Sequence, residues 1–288
     1  MTGISVIIRC KNEEKALGRC LATIFTQQTD VSFEVIVVDS GSTDHTLTIA
    51  REYPVRLFEI PPESFSFGFA LNHGIERADG AIIVNISAHC IPVHNTWLSE
   101  ITGPVREGRA DAVYGRQVPV KGVNPFEEVS LDRHFPGTEK SGGRVAFSNA
   151  NCSFLRKMWE VVRFDEALPS WEDFLWYLLL KDRYRFHYCP EAAVYHSHPF
   201  SVDSVTRRSY NDGRAFRMMK EKYDIDLIGK DYPTILAKGR LFMEDVKNHM
   251  SFFVHNGYAS RIFLTPVVRL LAFKAYRDGY KSVKQKPL

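Results

Sequence analysis

Strand-like and helix-like segments alternate through the first 90 residues, and this alternation restricts the chain to a small set of folds. An apolar run at residues 4–8 precedes a helical pattern within 12–27, and a second apolar run follows at 33–38. The same order then repeats through three further segments, at residues 55–58, 69–77 and 81–86. Strands joined by helices of this length form right-handed βαβ units with parallel strands. We therefore predict an α/β fold with a mostly parallel central sheet and flanking helices.

The composition excludes several classes of protein. A formal net charge of +3 over 288 residues is too small to indicate a nucleic-acid-binding protein. The five cysteines are odd in number and none are spaced as Cys-x-x-Cys, so neither a disulfide framework nor a zinc site is indicated. The N-terminal segment lacks the regions of a signal peptide, and no apolar segment near the middle approaches the roughly 20 residues of a membrane span. We expect a cytoplasmic protein that does not cross the membrane.

Beyond residue 110 the pattern is less regular. We predict strand character over residues 110–120 and 185–195. Residues 148–159 are predicted to enter a helix, and a second, strongly apolar helix is predicted over 173–181. Glycine, proline and charged residues over 121–143 indicate a long loop. The remainder of the chain is typical of helices with interleaved arginine and lysine.

Small, polar and acidic residues follow three of the predicted strands, at residues 9–13, 39–44 and 87–89. Ligands bind beyond the carboxyl ends of the strands in an open parallel sheet, so these segments mark a candidate nucleotide pocket. Asp39 can accept a hydrogen bond from a base or a ribose, and Ser42 lies near a helix N-terminus that suits an anion. The alternative is that this segment is only a turn with a helix N-cap.

Four motifs occur in the order and at the spacing found in family 2 glycosyltransferases: SVIIRCKNE (5–13), EVIVVDSGSTD (34–44), ALNHG (70–74) and ADG (78–80). The resemblance covers roughly residues 4–200 and implies the Rossmann-like GT-A fold with a nucleotide-diphosphate sugar as donor. It implies that Asn12, Glu13 and Asp39 contact the base and ribose of that donor, in a pocket that includes Arg9 and Ser42. Arg9 departs from the proline that is usual at its position.

Enzymes of this fold generally carry an Asp-x-Asp motif after the fourth strand, which holds Mg²⁺ or Mn²⁺ against the donor diphosphate. The matching triplet here is Ser87-Ala88-His89, which contains no carboxylate. His89 occupies the metal-binding position, and a nitrogen ligand shifts the preference from Mg²⁺ toward Mn²⁺. We expect Ser87 to hydrogen-bond the ribose or a phosphate oxygen.

Two further histidines, His196 and His198, follow the last predicted strand, where related enzymes place a histidine that completes the metal site. They are two residues apart, and we expect at most one of them, His198, to face the metal. The alternative is a metal-free site in which arginines neutralise the leaving diphosphate. The candidates for that role are Arg207, Arg208 and Arg214.

Glu172 and Asp173 begin an apolar helical segment. Taken alone, two carboxylates at a helix start can simply complement the helix dipole. In family 2 enzymes a Glu-Asp pair at this position supplies the general base, normally the Asp. The resemblance therefore implies that Asp173 is the base of an inverting transfer, and that Glu172 orients the acceptor or a neighbouring side chain.

Four more residues are candidates for contact with the sugars. Asn149 and Asn151 match a segment that lines the donor sugar and the acceptor in the family, and their amides suit sugar hydroxyls. Arg116 is expected on another wall of the same pocket. Trp171 precedes the carboxylate pair and is expected to reach the acceptor.

The last 30 residues, 259–288, combine apolar and basic residues at helical spacing. This pattern is typical of an amphipathic helix that lies on a membrane surface. The alternative is a helix that packs on the catalytic domain and leaves a basic face in solvent.

These observations predict three parts: a nucleotide-sugar-binding part (1–118), an acceptor-binding and catalytic part (119–200) and a helical extension (201–288). The predicted function is an inverting, metal-assisted sugar transfer to a glycan or lipid-linked acceptor. The motif pattern resembles members that build bacterial surface polysaccharides, which implies work at the cytoplasmic face of the inner membrane. The alternative is a non-catalytic nucleotide-sugar-binding scaffold with a degenerate metal site.

Overall fold

The computed structural model of the protein describes residues 3–138, 147–227 and 235–283, with the backbone alone described for 235–241 and 259. Strands and helices alternate in its first part, as predicted. The elements are β1 (Ile4–Cys10), α1 (Leu17–Phe25), β2 (Phe33–Asp39), α2 (Thr46–Arg51), β3 (Arg56–Glu59), α3 (Phe67–Glu76) and β4 (Ile82–Ser87).

The next part contains elements that the sequence analysis identified only in part. They are β5 (Ile91–Pro92), α4 (Trp97–Arg106), β6 (Ala112–Val118), α5 (Pro125–His134), β7 (Asn151–Leu155), α6 (Arg156–Val161), α7 (Glu172–Leu180) and β8 (Phe186–Tyr195). The helix α4 and the short strand β5 were not predicted. Helices then follow: α8 (Val202–Tyr223), α9 (Ile235–His255), α10 (Ala259–Ile262) and α11 (Thr265–Ser282).

The predicted loop at 121–143 is wrong in its centre, because α5 lies there. The start of α5 has the usual signals of a helix N-terminus. Asn124 accepts a hydrogen bond from the Glu127 backbone at 3.3 Å, Pro125 is the first helical residue, and Glu127 with Glu128 complements the helix dipole. Residues 139–143 of this prediction lie outside the described residues.

The helix predicted to begin within 148–159 is also partly wrong, because β7 takes up Asn151–Leu155 before α6 begins. β7 pairs antiparallel with β4 on one side and with β6 on the other. Its polar residues, Asn151 and Ser153, are buried between these neighbours. The strand therefore lacks the alternation of buried apolar and exposed polar residues by which a half-exposed strand is recognised.

The eight strands of the described ranges form one sheet in the order β3-β2-β1-β4-β7-β6-β8-β5. β3, β2, β1 and β4 are mutually parallel, and β6 is parallel to β8. The antiparallel strands β7 and β5 make the sheet mixed. The carboxyl ends of β1, β2 and β4 meet at one edge, because Cys10 is in register with Asp39 and Arg9 with Ser87.

Both faces of the sheet are covered. Ile4, Val6 and Ile8 pack with α1 and α4 on one face, whereas Ile7 packs with α3, α6 and α7 on the other. A strand buried on both faces becomes continuously apolar, which explains the runs in the sequence. Arg9 follows the register of Ile7 and stacks on Phe67 of α3, with 4.4 Å from its guanidinium carbon to the ring centre.

The chain divides into two compact units. The first comprises Met1–Val120, Ser130–Ala167 and Glu172–Ser197. The second comprises His198–Leu288 together with two short inner segments, Lys121–Val129 and Leu168–Trp171. The sequence division had assigned both inner segments to the catalytic part. No helix in the described ranges combines the length and the apolar character that crossing a membrane requires.

Within the second unit, α8 and α11 cross at two glycines. A Cβ on Gly213 would overlap the carbonyl oxygen of Tyr276, and one on Gly279 would overlap the carbonyl oxygen of Tyr210. The two backbones therefore approach as closely as only glycine allows.

We predict that Gly213→Ala lowers the free energy of unfolding by about 1–3 kcal/mol, because the added methyl group forces the two helices apart. Gly103→Ala is the matched control. Gly103 also lies inside a helix, but a Cβ there meets a single atom, Oε1 of Glu107 at 3.7 Å. The control should be neutral or stabilised by about 0.5–1 kcal/mol. Urea unfolding followed by circular dichroism measures both, and equal stability of the two variants would contradict the close crossing.

Candidate active site

The loops that follow β1 and β2 are joined by a network around Asp39. Asp39 is fully buried, and its Oδ1 accepts the backbone N–H groups of Gly41 and Ser42, each at 2.8 Å. The Ser42 hydroxyl donates to the other carboxylate oxygen of Asp39. The Asp39 carboxylate thus stabilises the turn that follows β2, which is the structural alternative considered in the sequence analysis. Contact between Asp39 and a base or ribose stays a prediction.

Asn12 and Glu13 belong to the same network. The Asn12 side-chain oxygen accepts the Thr43 backbone N–H at 2.8 Å, and the Asn12 backbone N–H donates to Ser42 Oγ at 2.8 Å. Asn12 adopts a left-handed backbone conformation with φ of 54°, which asparagine tolerates better than most residues. The Glu13 backbone N–H donates to Thr46 Oγ1 at 2.7 Å. The structure therefore brings together the residues predicted to contact the nucleotide.

A chain of four polar side chains lies beside this network. His89 Nδ1 lies 2.8 Å from Glu13 Oε1, and His89 Nε2 lies 3.2 Å from His196 Nε2. His196 Nδ1 in turn lies 2.6 Å from Gln117 Oε1. His89 and His196 both belong to the first unit. His198 belongs to the second unit, where its Nδ1 lies 2.7 Å from Glu127 Oε1.

Glu13 and Gln117, which lie on the far sides of the two imidazole rings, determine which nitrogen of each ring faces the other ring. An ionised Glu13 carboxylate only accepts hydrogen bonds, so it fixes the proton of His89 on Nδ1 and turns the Nε2 lone pair toward His196. The Gln117 side-chain oxygen likewise accepts from His196 Nδ1, which turns the Nε2 lone pair of His196 toward His89. Two Nε2 lone pairs that face each other at 3.2 Å need a shared proton or a cation. Nitrogen ligands of one ion are about 3.0–3.5 Å apart, so the pair fits a borderline divalent metal.

The carboxylate pair at the start of α7 is held by Asn149. The Asn149 backbone N–H donates to Asp173 Oδ2 at 3.1 Å, and its side-chain amide donates to Glu172 Oε1 at 3.4 Å. Asn85 of β4 donates to the Asn149 side-chain oxygen at 3.0 Å. Glu172 is 3% exposed, whereas Asp173 is half-buried. The pair therefore lies against the edge at which β4 ends.

Burial raises the pKa of both carboxyl groups. For Glu172 the loss of hydration is the largest cause, the neighbouring Asp173 adds to it, and the pKa reaches about 7. For Asp173 burial again raises the pKa, while hydrogen bonds from the backbone of Asn149 and Phe174 oppose the rise. The positive charge of Arg9 lowers the pKa of both groups.

Asn149 and Asn151, two of the residues predicted to contact the sugars, have buried side chains, and contact with a sugar stays a prediction for both. Asn149 is 1% exposed and Asn151 is 0% exposed. The Asn151 oxygen accepts the Trp97 indole N–H at 3.0 Å. Its amide nitrogen donates to the backbone oxygens of Arg116 and Ala192 at 3.1 and 2.8 Å. These bonds leave neither side chain on an accessible surface.

The other predicted positions are distributed over the two units. Ser87 lies at the end of β4 with 5% exposure, next to Arg9 across the β1–β4 pair. Arg116 lines a cavity of the first unit with Glu191 and Tyr195. Trp171 belongs to the second unit and has a left-handed φ of 64°.

The unusual conformation of Trp171 has support from α8. Its indole N–H donates to Asp212 Oδ1 at 2.8 Å, and the Ser170 hydroxyl donates to the same oxygen at 3.1 Å. The indole ring also contacts Phe216 edge-on, with 4.9 Å between ring centres. A left-handed conformation at a bulky residue costs about 1–3 kcal/mol and persists only where its surroundings hold it.

Comparison with known proteins identifies the family of this chain. The sequence model described as glycosyl transferase family 2 matches residues 5–160, which is more than half of the chain. The chain belongs to glycosyl transferase family 2. This confirms the resemblance seen in the sequence motifs.

Relatives of this family 2 member include two O-antigen chain rhamnosyltransferases. The O-antigen chain rhamnosyltransferase WbaN of Salmonella anatum is 27% identical over 266 residues, covering 87% of this chain and 81% of the relative. The O-antigen chain rhamnosyltransferase RfbN of Salmonella typhimurium is 26% identical, with 86% and 81% covered.

A solved structure supports the fold. The mannosyltransferase PcManGT from Pyrobaculum calidifontis, determined in complex with GDP-Man and Mn²⁺, gives a TM-score of 0.65 at 18% identity. The match covers 98% of this chain and 88% of that one. The fold is therefore GT-A with additional C-terminal helices, as predicted.

In this family 2 site, sequence reasoning missed Asn85 and did not predict the contact of Gln117 with His196. Asn85 supports Asn149 and Gln117 orients His196. A signal for Asn85 was present, because it is a polar residue within the apolar strand Ile82–Ser87. A buried polar side chain needs a partner, so its presence in a core strand indicates a network. Gln117 is likewise a polar residue within a strand, Ala112–Val118, and it follows Arg116.

The raised pKa of the pair predicts the pH dependence of transfer by this family 2 enzyme. A general base must be ionised, so kcat/KM should fall with decreasing pH through a value above the ordinary aspartate pKa of about 4. Glu172→Gln should leave this acidic limb nearly unchanged, because the charge of Asp173 raises the pKa of Glu172, whereas burial is what raises the pKa of Asp173. A pH–rate profile measures both, and a wild-type limb near pH 4 would contradict the prediction.

Proposed function

We propose that this protein transfers a sugar, with inversion, from a nucleotide-diphosphate sugar to an acceptor hydroxyl during synthesis of a bacterial surface polysaccharide. The observation that carries the proposal is the buried Glu172–Asp173 pair, held by Asn149 beside the end of β4. Burial of carboxylates is costly, and a scaffold that only binds a nucleotide sugar has no use for it. The names of the rhamnosyltransferase relatives support rhamnose as the first sugar to test and O-antigen as the first acceptor class.

Asp173 is the proposed general base. It is the more exposed member of the pair, whereas Glu172 is 3% exposed and cannot reach a substrate without rearrangement. Its raised pKa brings its proton affinity closer to working pH, which favours proton transfer from a hydroxyl. Glu172 is proposed to fix the pair in place through Asn149.

The reaction then follows as a single displacement. Asp173 takes the proton of the acceptor hydroxyl while that oxygen forms its bond to the anomeric carbon. The bond between this carbon and the diphosphate oxygen breaks on the opposite face, and the nucleoside diphosphate leaves with the bonding electrons. Attack and departure on opposite faces invert the configuration of the anomeric carbon.

The proposed donor pocket comprises the network of the β1 and β2 loops with the end of β4. The residues are Arg9, Asn12, Glu13, Asp39, Ser42 and Ser87. Asn12 is the most exposed of the network side chains described above, so it is the strongest candidate for direct contact with the base. We propose an indirect role for Asn149 and Asn151, through the carboxylates and the sheet. Arg116 and Trp171 stay candidates for acceptor contact.

Mn²⁺, or less favourably Mg²⁺, is the proposed cofactor, and His89 with His196 would hold it. The fit rests on the facing Nε2 atoms at 3.2 Å and on Glu13 and Gln117 behind them. When bound there, a divalent metal would offset the negative charge of the leaving diphosphate. His198, two residues further along the chain, stays a candidate from its position in the sequence.

We predict that Asp173→Asn lowers the transfer rate by at least about 10³-fold, because the amide cannot take a proton. Binding of the nucleoside diphosphate should be unchanged, since the substitution preserves the shape of the side chain. Transfer is followed with a nucleotide-linked sugar, and binding by calorimetry. Asp165→Asn serves as a control, because Asp165 is a carboxylate outside the pair. Wild-type turnover by Asp173→Asn would exclude this residue as the base.

We predict that binding of one nucleoside diphosphate, among UDP, dTDP, GDP and CDP, is strengthened by Mn²⁺ in the wild type. His89→Ala and His196→Ala should each reduce the gain in affinity produced by Mn²⁺ at least about tenfold, because each variant loses one nitrogen ligand. His45→Ala is the control, since His45 is an exposed histidine. Calorimetric titration with and without Mn²⁺ measures the effect. An unchanged metal response in His89→Ala would refute the metal assignment and leave diphosphate neutralisation to the arginines.

A further inference from the structure

The helix α11 packs through one narrow face. Its buried residues are Thr265, Val268, Ala272 and Gly279. At about 100° per residue these four positions fall within an arc of about 60°. Gly279 lies at the crossing with α8, and Val268 joins a cluster with Phe126 and Phe253 of the same unit. Packing inside the second unit therefore accounts for this face of α11. Contacts of Arg269 with Asp245 and of Phe273 with Phe242 extend the packed side beyond it.

The outer face of α11 carries large apolar side chains on the opposite side. Phe263 precedes the helix and is 87% exposed, and Val267, Leu270 and Leu271 are 54%, 58% and 38% exposed. Soluble surfaces rarely expose several large apolar side chains side by side unless they bind something. The packing alternative considered for the tail explains Val268 but not these four residues.

Three cations continue the same face toward the C-terminus. Lys274, Arg277 and Lys281 are exposed. Lys274 follows Leu270 by four residues, Arg277 follows Lys274 by three, and Lys281 follows Arg277 by four, so the three continue along one side of the helix. Asp278 is the acidic residue nearby, and it lies 3.7 Å from Arg277. The outer face, defined as Phe263, Val267, Leu270, Leu271, Lys274, Arg277 and Lys281, is therefore apolar in its first half and cationic in its second. Lys284 and Lys286, also named in the sequence pattern, lie outside the described residues.

We propose that the outer face of α11 binds the surface of an anionic lipid bilayer, without crossing it. Apolar side chains enter the boundary between headgroups and acyl chains, and lysine or arginine side chains reach lipid phosphates, so a bilayer offers both halves of this face a partner. The proposal goes beyond sugar transfer and does not depend on it.

Charge complementarity favours a bilayer over a second copy of the chain. In a parallel twofold dimer through this face, cations would oppose identical cations. In an antiparallel one, the cations would be buried against apolar side chains without a counter-charge. A lipid surface of opposite charge has no such penalty, and it attracts each basic residue near it.

Vesicle flotation with the full chain tests the proposal. Wild-type protein should bind vesicles of phosphatidylethanolamine with phosphatidylglycerol at least about tenfold more tightly than vesicles of phosphatidylcholine. Binding should weaken as salt is raised, because the cationic half is exposed. Phe263→Ser with Leu270→Ser should weaken binding at least about tenfold, and Lys274→Glu with Lys281→Glu should weaken it to a similar extent.

Matched controls lie in the first unit. Val161→Ser removes an apolar side chain that is 48% exposed, and Lys181→Glu reverses an exposed charge. Neither control should change vesicle binding. Thermal unfolding of each variant shows that the fold is kept, and calorimetry should show unchanged affinity for the nucleoside diphosphate, which separates this test from that of sugar transfer.

Three outcomes would overturn the proposal. The first is a wild-type protein that does not bind anionic vesicles. The second is binding that the outer-face variants and the controls reduce equally. The third is a wild-type dimer in sedimentation that becomes a monomer in the Phe263→Ser, Leu270→Ser variant without vesicle binding, which would assign the face to self-association.

Discussion

The hydrogen bonds of Asn149 and Asn151 hold the first unit together at the point where its chemistry is proposed to occur. Asn151 joins α4, β6 and β8 through three bonds, and Asn149 joins β4 to the start of α7. Each of these groups is buried, and a buried polar group without a partner costs about 1–3 kcal/mol. The antiparallel strand β7 can therefore occupy the sheet in one register only. That register sets where the carboxylate pair lies.

The same arrangement explains how two carboxyl groups are tolerated in a largely buried place. Backbone N–H groups of Asn149 and Phe174 donate to Asp173, and the positive charge of Arg9 favours ionisation of both carboxyl groups. Burial acts against these contributions and prevails, so the pKa of each carboxyl group is raised. Arg9 is the residue that replaces the proline usual in the family. The pair and Arg9 thus form one electrostatic unit at the edge of the sheet.

Local sequence patterns predicted much of the fold but only part of the site. Alternating apolar runs predicted β1 to β4, because a parallel sheet buried on both faces leaves a strong signal. The signals at Asn124 and Pro125 that begin α5 were present, but the surrounding glycine and charge outweighed them. β7 could not be predicted from its own residues, since its polar side chains are satisfied by strands and helices far along the chain.

The site residues show the same division. Asn12, Asp39 and Ser42 lie close together, as strand ends in a parallel sheet must. The contact between His89 and Glu13 joins residues 76 positions apart, and that between His196 and Gln117 joins residues 79 apart. Such pairings depend on the register of the strands and on the rotamers of the side chains, and neither can be derived from a single sequence. The burial of Asn149 and Asn151 depends on the same information.

The two inner segments of the second unit make its helices inseparable from the rest of the chain. Phe126 packs with Phe253, and the buried Glu127 is paired with His198 and Arg208. A polypeptide that ended after Ser197 would keep Phe126 and Glu127 but lose every one of these partners. The helical extension is thus not a modular appendage. Exchange of this region between related enzymes would have to carry Lys121–Val129 and Leu168–Trp171 with it.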